Sequence, residues 1–580
     1  MINATKEKLA SFFQGTIQYE VPFFQRAYVW DDENWATLWD HVLTVLERHE
    51  QGLSGEHFIG TVITKQRPAE RLGQQVHDLI DGQQRLTTIA LLLQAIADTA
   101  TGDVPRLKEV ISDNLRFRDT RNEVHPRVIP SSYDRTYYNA IMAGEAHASL
   151  ANGDHKIVRA YRFFRDRLAD MTDDRRDQLR LVLLERVSVI SMMLSHEDDE
   201  QEIFDTINAL GVRLTTAELL KNYIFKEQTI QSHYATLWKD VYEDNEEHVE
   251  FWNAERTAGR IIRTNIEVLL YCYLVIKTGS EVKLESLFKE YKRWLDGKPG
   301  PERLAFLREL REYAEIYASF PSGAELNEIA FDEWEKRFFH VVENLMITTV
   351  LPLALYIYKC IDDAVKRQEL LHLLEGYLVR RNVCRLTTKN YNLLFVQIIN
   401  RLQESRAGSF DVDRLARIIG GFGEDTNRMP TDEDLASAFR SEQLSNQNSR
   451  EILFLLALRQ VSDGLADVQK LSLGNYTVEH MMPVKWEANW LDREMSAEEK
   501  ANRGRKLRTL GNLTLVTKRL NSRMQNAAWK DKKTHLRRYA SLPLTASYLD
   551  RENWDESAID ERAVDLVTTA RSVWGSDAGS

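Results

Sequence analysis

Two stretches near the C-terminus carry residue types suited to phosphodiester hydrolysis. Residues 476–483 read YTVEHMMP, and residues 510–533 read LGNLTLVTKRLNSRMQNAAWKDKK. This hydrolysis needs an activated water, a cation that stabilises developing charge, and a positive surface for the backbone. His480 is a candidate general base, because the unperturbed pKa of imidazole is about 6.5. Glu479 and an asparagine on a helix offer the oxygen ligands that hard cations prefer.

The asparagines of the second stretch are spaced to meet this pair. Asn512 and Asn521 are nine residues apart, with a predicted strand and turn between them. Asn521 and Gln525 are one helical turn apart, which predicts that their side chains face the same way. A strand ending in histidine, a second strand and a ligand-bearing helix form the ββα-metal arrangement. The alternative is a small degenerate fold with a buried histidine.

The distribution of charge predicts a local anionic partner. The net charge is −12, which argues against nucleic acid binding over the whole surface. Residues 501–540 nevertheless hold twelve Lys or Arg and a single acid, Asp531. Such a basic segment in an acidic chain suggests binding of an anion such as a nucleic acid backbone, the alternative being a solvated helix face.

A different pattern stands near the N-terminus, where residues 76–88 read VHDLIDGQQRLTT. A strand, a glycine turn and a helix start form an anion site, because the first N–H groups of a helix lack partners. Arg85 can add a bidentate phosphate contact, and Asp81 can cap the helix or hold a divalent ion. This is no Walker motif, so a simple cap and turn with a surface arginine is the alternative.

Residues 21–30, VPFFQRAYVW, place Gln25 and Arg26 among aromatic residues. The aromatics can stack on a nucleobase while the polar pair reaches a phosphate. They can equally belong to a core, which is the better interpretation for Trp30 and Trp35.

The periodicity predicts an α+β fold that is mostly helical. Short segments rich in β-branched residues at 58–64 and 76–80 predict strands. The spacing of apolar residues after Asp81 predicts an amphipathic helix. Further helices are predicted at 158–171, 200–208, 261–277, 333–360 and 367–379, at a start capped by Thr431, and in a basic stretch from Arg519. Further strands are predicted at 476–478 and 513–516.

Composition limits the class of protein. A chain of 580 residues exceeds one core, and 43% hydrophobic with 28% charged residues is ordinary for a folded protein. Cys272, Cys360 and Cys384 form no CxxC pair, so neither a zinc knuckle nor a disulfide framework is suggested. There is no run of 18 apolar residues and no signal-peptide pattern at the start. We expect a cytoplasmic protein without a membrane partner.

VPFFQRAYVW, HFIGTVI and DLIDGQQRLTTI, in this order and spacing, resemble the N-terminal domain of the GmrSD family. That family covers modification-dependent (type IV) restriction proteins, with BrxU and SspE as relatives. The resemblance implies a ParB/sulfiredoxin-like domain that binds and hydrolyses a nucleoside triphosphate, GTP or ATP. The residues implied to line its pocket, with Arg85 also catalytic, are Gln25, Arg26, Gly60, Asp81, Gly82, Gln83, Gln84 and Arg85.

Two further stretches, 204–221 and 380–391, also resemble segments of this family. They add Asn208 and Lys221 as weaker pocket candidates. The alternative for these two residues is a helix cap and a solvated lysine.

The C-terminal stretches resemble the HNH nuclease domain that is fused to this N-terminal domain. By that resemblance His480 activates water, while Glu479 and Asn521 are metal ligands. Asn512 orients the histidine or braces its loop, and Lys530 contacts DNA or the reacting phosphate. Asn526 is an alternative to Asn521. Many HNH sites carry a second histidine where this chain has Asn521, which favours Mg²⁺ or Mn²⁺ over Zn²⁺.

The motifs and the resemblance together predict three segments: an NTP-binding domain at 1–130, a helical region at 131–405 that completes the N-terminal unit and links it onward, and an HNH nuclease domain at 406–580. The predicted function is nucleotide-dependent cleavage of modified phage DNA in bacterial anti-phage defence. The alternatives are a nucleotide-switched DNA-binding module with an inactive HNH fold, and an RNA-directed nuclease. Double-strand cutting would need a homodimer or two sequential nicks. The modification sensed would be a modified base, such as glucosylated hydroxymethylcytosine, or a backbone phosphorothioate.

Overall fold

A computed structural model divides the chain into two compact units, residues 1–226 and 227–580. The structure describes residues 3–22, 25, 27–67, 75–104, 106–144, 155–194, 215–225, 227–258, 261–404, 410–465, 469–487, 489–490, 494–539 and 542–575. The predicted boundary at residues 405 and 406 falls within the second unit, and the division into three segments stays a prediction.

The first unit is built on a six-stranded mixed sheet with strand order β1–β8–β3–β4–β2–β7. Its strands are β1 (Asn3–Lys8), β2 (Ile17–Glu20), β3 (His57–Gln66), β4 (Gln75–Asp81), β7 (Val128–Ile129) and β8 (Val187–Leu194), with β5 (Arg116–Arg118) and β6 (Val124–Pro126) forming a separate hairpin. β3 runs parallel to β8 and antiparallel to β4, and β2 is parallel to β4 and β7. The likeness of this sheet to the ParB/sulfiredoxin fold stays a prediction.

The helices of this unit cover the sheet and surround one central helix. They are α1 (Asp32–Glu50), α2 (Gln83–Thr99), α3 (Leu107–Leu115), α4 (Arg135–Met142), α5 (Lys156–Leu168), α6 (Asp173–Arg186) and α7 (Thr216–Phe225). α2 is buried on nearly every side, from Gln84 to Ile96, because it packs against α3 and α5. A helix buried all round is held by its neighbours, so its first turn occupies a fixed position against the sheet.

The second unit is mostly helical. Its helices are α8 (Gln228–Gln231), α9 (Asp240–Tyr242), α10 (Glu246–Asn253), α11 (Asn265–Thr278), α12 (Leu287–Leu295), α13 (Gly300–Ala318), α14 (Trp334–Asn344), α15 (Leu351–Cys360), α16 (Ala364–Val383), α17 (Tyr391–Gln403), α18 (Val412–Gly420), α19 (Asp432–Ser441), α20 (Asn446–Gln460), α21 (Ala497–Lys506), α22 (Lys518–Met524), α23 (Trp529–Tyr539), α24 (Pro543–Ala546) and α25 (Glu556–Trp574). Its strands pair in twos: β9 (Glu255–Ala258) with β10 (Ile261–Thr264), β11 (Ile329–Ala330) with β12 (Lys470–Leu471), and β13 (Tyr476–His480) with β14 (Leu513–Thr517).

The predicted fold class, α+β and mostly helical, is confirmed. Strands cover 58–64, 76–80, 476–478 and 513–516, and helices cover most of 158–171 and all of 367–379. Thr431 caps α19 through a capping box with Asp434, as predicted. The predicted helix at 200–208 lies outside the described residues.

Two helix predictions are wrong in part. The segment 261–277 begins as strand β10, and the helix starts only at Asn265, where Thr264 and Glu267 form a capping box. The segment 333–360 is two helices rather than one. The break contains Met346, whose φ of 57° is left-handed and cannot continue a right-handed helix.

Two buried arginines give the 380–391 stretch a structural role. Arg380 and Arg381 are fully buried at the end of α16. Arg381 donates to the carbonyls of Thr426 and Arg428 and to Tyr391 Oη. These bonds hold the 425–430 loop against α16. Thr388, Lys389, Tyr391 and Asn392 are among the residues that line a cavity of about 650 Å³. Among the helices of the described residues, none is long and apolar enough to cross a membrane.

Candidate active site

The two C-terminal stretches meet in one ββα element, formed by β13, β14 and α22. β13 and β14 are antiparallel, with Glu479 opposite Thr514 and His480 opposite Leu513. Thr517 ends β14 and caps α22 by accepting from the N–H of Leu520 at 3.3 Å. The two strands and the helix are thus arranged in the order the sequence predicts.

Asn521 joins the helix to the first strand. It is half-buried, and its Nδ2 donates to the carbonyl of Val478 at 3.0 Å. This bond directs the amide nitrogen to the strand, so Oδ1 is the atom that the side chain can offer to a cation. Its proposed metal role stays a prediction.

Glu479 forms a buried ion pair with Lys532 of α23. The side chain of Lys532 is 0% exposed and that of Glu479 is 8% exposed. Lys532 Nζ donates to Glu479 Oε1 and, at 2.7 Å, to the carbonyl of His480. Burial raises the pKa of Glu479 and lowers the pKa of Lys532, and the attraction between the two opposes both shifts.

His480 is half-buried at the end of β13. Burial, followed by the positive charges of Lys532 and Arg508, lowers the pKa of His480 to about 4. A lowered pKa keeps the imidazole neutral at neutral pH, and only the neutral ring can accept a proton. The geometry is therefore compatible with a general base.

Asn512 is fully buried and braces the loop that follows His480. Its Nδ2 donates to the carbonyls of Met482 and Leu507, each at 2.8 Å. Its Oδ1 accepts from the N–H of Met482 at 2.9 Å and from Trp554 Nε1 at 3.0 Å. Of the two roles considered for Asn512, these contacts favour loop bracing.

Lys530 and Asn526 are exposed, so both lie at the surface of this element. The role of Lys530 as a DNA or phosphate contact stays a prediction. Sequence reasoning missed Lys532, the lysine that bonds to Glu479. Its signal is helical spacing: Trp529, Lys532 and Leu536 are the buried residues of α23, so position 532 lies on the apolar face.

The predicted alignment of Asn521 and Gln525 is wrong. α22 ends at Met524, and Gln525 has a φ of 38°, so the two residues do not share a helix face.

Exposed cations surround the ββα element, mainly on α22 and α23. The exposed members of this basic surface are Arg508, Lys518, Arg519, Arg523, Lys530, Arg537 and Arg538. Arg523 and Arg538 both lie over the ring of the exposed Tyr539, at 5.6 Å and 5.4 Å from its centroid. Clustered cations and an accessible aromatic ring suit a nucleic acid backbone and its bases.

The other predicted site, in the first unit, is the turn between β4 and α2. β4 ends at Asp81, and Gly82 follows as the N-cap residue of α2 with a φ of 89°. A Cβ at Gly82 would lie 2.8 Å from Val62 Cγ2, so only glycine fits this turn without a shift. Glycine also has no side chain to cap the helix, which leaves the first turn suited to an external anion.

Arg85 fills the space that a second glycine leaves open. Its Nη1 donates to the carbonyl of Thr61 at 3.0 Å and lies 3.9 Å from Asp81 Oδ2. Gly60 has a φ of 112°, and a Cβ there would lie 2.8 Å from Arg85 Nη2. The arginine side chain is 26% exposed, so the guanidinium is anchored yet accessible.

The two glutamines next to this turn bond to backbone groups. Gln25 Nε2 donates to the carbonyl of Ile80 at 2.9 Å. The buried Gln84 accepts from the N–H of Val29 at 2.8 Å and donates to the carbonyl of Ala27 at 3.3 Å. These bonds tie residues 25, 27 and 29 to the turn, and Gln83 is the first residue of α2.

The remaining pocket candidates are placed as follows. Arg26 and Asn208 lie outside the described residues. Lys221 is 2% exposed within α7, so its interpretation as a solvated lysine is wrong. Trp35 is in the core, as predicted, and its Nε1 donates to Tyr28 Oη at 2.8 Å, whereas Trp30 packs on that core partly buried.

Comparisons with known families agree with this arrangement. Residues 9–225 match the model of the GmrSD restriction endonuclease N-terminal domain. Residues 429–569 match the model of the GmrSD restriction endonuclease C-terminal domain. The search of curated proteins finds no match. The two domain matches occur in the expected order and together cover more than half of the chain, which therefore belongs to the GmrSD family of restriction endonucleases.

Proposed function

We propose that this restriction endonuclease cleaves modified phage DNA in anti-phage defence. The cleavage site is of the HNH type and depends on Mg²⁺ or Mn²⁺, and a nucleotide bound to the first unit controls it. The observation that carries the nuclease part is the ββα element. In it, Glu479 and His480 lie at the end of one strand, Asn512 lies directly before the next, and Asn521 lies on the helix.

The donor chemistry fits the cation. Glu479 and Asn521 would hold it, because carboxylate and amide oxygens are preferred by Mg²⁺ and Mn²⁺. Such a cation, when bound, stabilises negative charge on the reacting phosphate and the leaving oxygen. Glu479 also contacts Lys532, so the cation would share this carboxylate with an ammonium group.

The chain's own residues supply the rest of the reaction. The neutral imidazole of His480 accepts a proton from the attacking water, while Lys532 and Asn512 hold the peptide groups next to it. The basic surface, with Lys530, holds the DNA backbone and adds positive charge near the phosphate.

The turn of the first unit would bind a nucleoside triphosphate, GTP or ATP. Gly82 at the start of α2 presents backbone N–H groups, and Arg85 presents a guanidinium anchored on Thr61. Asp81 would lie beside the phosphates, where it can hold a divalent ion. Gly60 matters because any side chain there would occupy the position of Arg85.

The test uses plain plasmid, phosphorothioated plasmid and glucosylated phage DNA, each with Mg²⁺ or Mn²⁺, with and without GTP or ATP. His480→Ala should abolish cutting and leave nucleotide hydrolysis intact. Arg85→Ala should weaken nucleotide hydrolysis and change cutting, whereas Arg180→Ala, whose guanidinium pairs with Asp177 within α6 of the same unit, should do neither. Cutting that persists in His480→Ala, or that ignores both nucleotide and Arg85→Ala, would contradict the proposal.

A second candidate is a nucleotide-switched module that binds DNA without cutting it. The observation that favours it is the engagement of Glu479 by Lys532, together with an asparagine at position 521 where many HNH sites have histidine. Nucleotide hydrolysis and nucleotide-dependent DNA binding, with no cleavage of any of the three DNAs, would support this candidate instead.

A further inference from the structure

Lys532 occupies an unusual position for a lysine. It lies on the buried face of α23 between Trp529 and Leu536, and its side chain is 0% exposed. A buried ammonium group is costly unless a carboxylate and further hydrogen bonds compensate it. The contacts that compensate the buried ammonium group of Lys532 therefore indicate its role.

Both contacts of Lys532 converge on the end of β13. Its Nζ donates to the carboxylate of Glu479 and to the carbonyl of His480, at 2.7 Å for the latter. The N–H of the same peptide unit, that of Met481, donates to the carbonyl of Asn512 at 2.9 Å. The peptide after His480 is thus held at its oxygen by Lys532 and at its nitrogen by the turn of Asn512.

We infer that Lys532 is a positioning residue of the nuclease site, which orients the Glu479 carboxylate and the His480 backbone through one buried ammonium group. Neighbouring residues of a strand point to opposite faces. Lys532 holds the Glu479 carboxylate and the carbonyl of His480. It therefore fixes the direction of the Glu479 side chain and, through the backbone of His480, the direction of the imidazole. The inference rests on the proposed function.

A second buried ion pair in the same unit provides the comparison. Arg337 donates from Nε to both oxygens of Glu375, at 3.0 Å and 2.9 Å, and both side chains are almost completely buried. Its other hydrogen bonds join it to the carbonyl of Phe331 and to His372, so none of these bonds reaches β13 or β14. We therefore expect loss of the Arg337 pair to destabilise the unit through an unpaired buried carboxylate, while the bonds of Glu479 and His480 to Lys532 remain.

The experiment compares Lys532→Met, Lys532→Arg and Arg337→Met in the full chain. Rates are measured well below each melting temperature and expressed per folded protein. For Lys532→Met we expect kcat to fall about 10- to 100-fold, with KM for DNA nearly unchanged, because orientation rather than binding is lost. Lys532→Arg should recover part of this kcat. Arg337→Met should lower the melting temperature yet keep the kcat of the folded protein.

Two kinetic results would overturn the inference. One is a kcat of Lys532→Met that equals that of Arg337→Met. The other is a loss confined to KM, which would make Lys532 a contributor to DNA binding.

A readout that does not require cleavage separates this inference from the proposed function. Mn²⁺ binding to the protein, measured by electron paramagnetic resonance, should weaken about 10- to 100-fold in Lys532→Met but not in Arg337→Met. If the wild-type chain cuts no DNA, the proposed nuclease fails and Mn²⁺ binding decides the role of Lys532. Unchanged or tighter Mn²⁺ binding in Lys532→Met, or no Mn²⁺ binding by the wild type, would overturn the inference.

Discussion

Asn512 and Met482 are joined by two hydrogen bonds that run in opposite directions. Asn512 Nδ2 donates to the Met482 carbonyl at 2.8 Å, and Asn512 Oδ1 accepts from the Met482 N–H at 2.9 Å. Thirty positions separate the two residues along the chain. The side-chain amide therefore acts as a backbone partner for the loop that follows His480.

Asn512→Asp should unfold this loop and inactivate the nuclease. The change replaces a donor by an acceptor that faces the carbonyls of Met482 and Leu507, leaving buried polar groups without partners. Each such group costs about 1–3 kcal/mol, so we expect a loss of about 2–5 kcal/mol in the free energy of unfolding of the second unit. Urea unfolding and cleavage assays measure the two effects.

Asn265→Asp is the control for this prediction, because Asn265 is also buried in the second unit and donates to a carbonyl, that of Phe251. It should destabilise the protein while the folded fraction still cuts. Equal loss of cleavage in both variants at matched folding would contradict a specific role of Asn512.

Gly60→Ala should weaken nucleotide binding at least about tenfold, which corresponds to about 1.4 kcal/mol. The new Cβ would lie 2.8–2.9 Å from three atoms of the Arg85 guanidinium and displace it. Gly102→Ala is a matched control, because Gly102 has a similar φ of 102° but nothing within 4 Å of the position of a Cβ. Fluorescent GTP and ATP analogues report the affinity. Equal weakening in both variants would assign the effect to backbone strain.

Neutralising Lys518, Arg519 and Lys530 to glutamine should weaken binding to every DNA sequence alike. These exposed cations lie on α22 and α23, and each phosphate contact contributes about 0.9 to the slope of log affinity against log salt. We expect the slope to fall by up to about 3, measured by fluorescence anisotropy at several salt concentrations. The exposed Lys108, Lys289 and Lys366 serve as a charge-matched control triple. A similar fall in that control would indicate a net-charge effect.

Asp134 should make the stability of the first unit depend on pH. Its carboxylate accepts from the N–H of Tyr28 at 2.8 Å and from Ser131 Oγ at 2.6 Å, and burial raises its pKa from 3.8 to about 6. The folded state therefore binds the proton more tightly than the unfolded state. Protonation of Asp134 therefore stabilises the folded state. The stabilisation is fully present below the pKa of the unfolded state and is lost as the pH rises through about 6.

Relative to Asp134→Asn, the wild type should lose up to about 3 kcal/mol of unfolding free energy between pH 4 and pH 7. Urea unfolding at each pH measures the difference, in which the titrations of other groups cancel. His155, whose Nε2 lies 3.6 Å from Asp134 Oδ1, is the neighbour to replace next. Parallel pH dependence in the wild type and Asp134→Asn would contradict this prediction.

The sequence alone determined the elements whose signal is local. Alternation and β-branched residues located β3, β4, β13 and β14, and the Thr431 cap located the start of α19. Motif order identified the turn at Asp81 to Arg85 and the pair of Glu479 and His480. Local signals were also present where the prediction failed: Thr264 and Glu267 already marked the start of α11.

The tertiary structure decided which side chains face each other. Lys530 and Lys532 are chemically alike, and helical spacing places only Lys532 on the apolar face of α23. The packing of α23 decides that this face meets Glu479, which buries Lys532 while Lys530 stays exposed. Likewise, Gly60 and Arg85 are 25 positions apart, and the register of β3 with β4 brings the arginine over the glycine. Residue types and their spacing show which chemistry is available, because turns, caps and periodicity are set by residues close together in the sequence. Burial, ion pairing and pKa depend on contacts between distant segments, which only the folded chain creates.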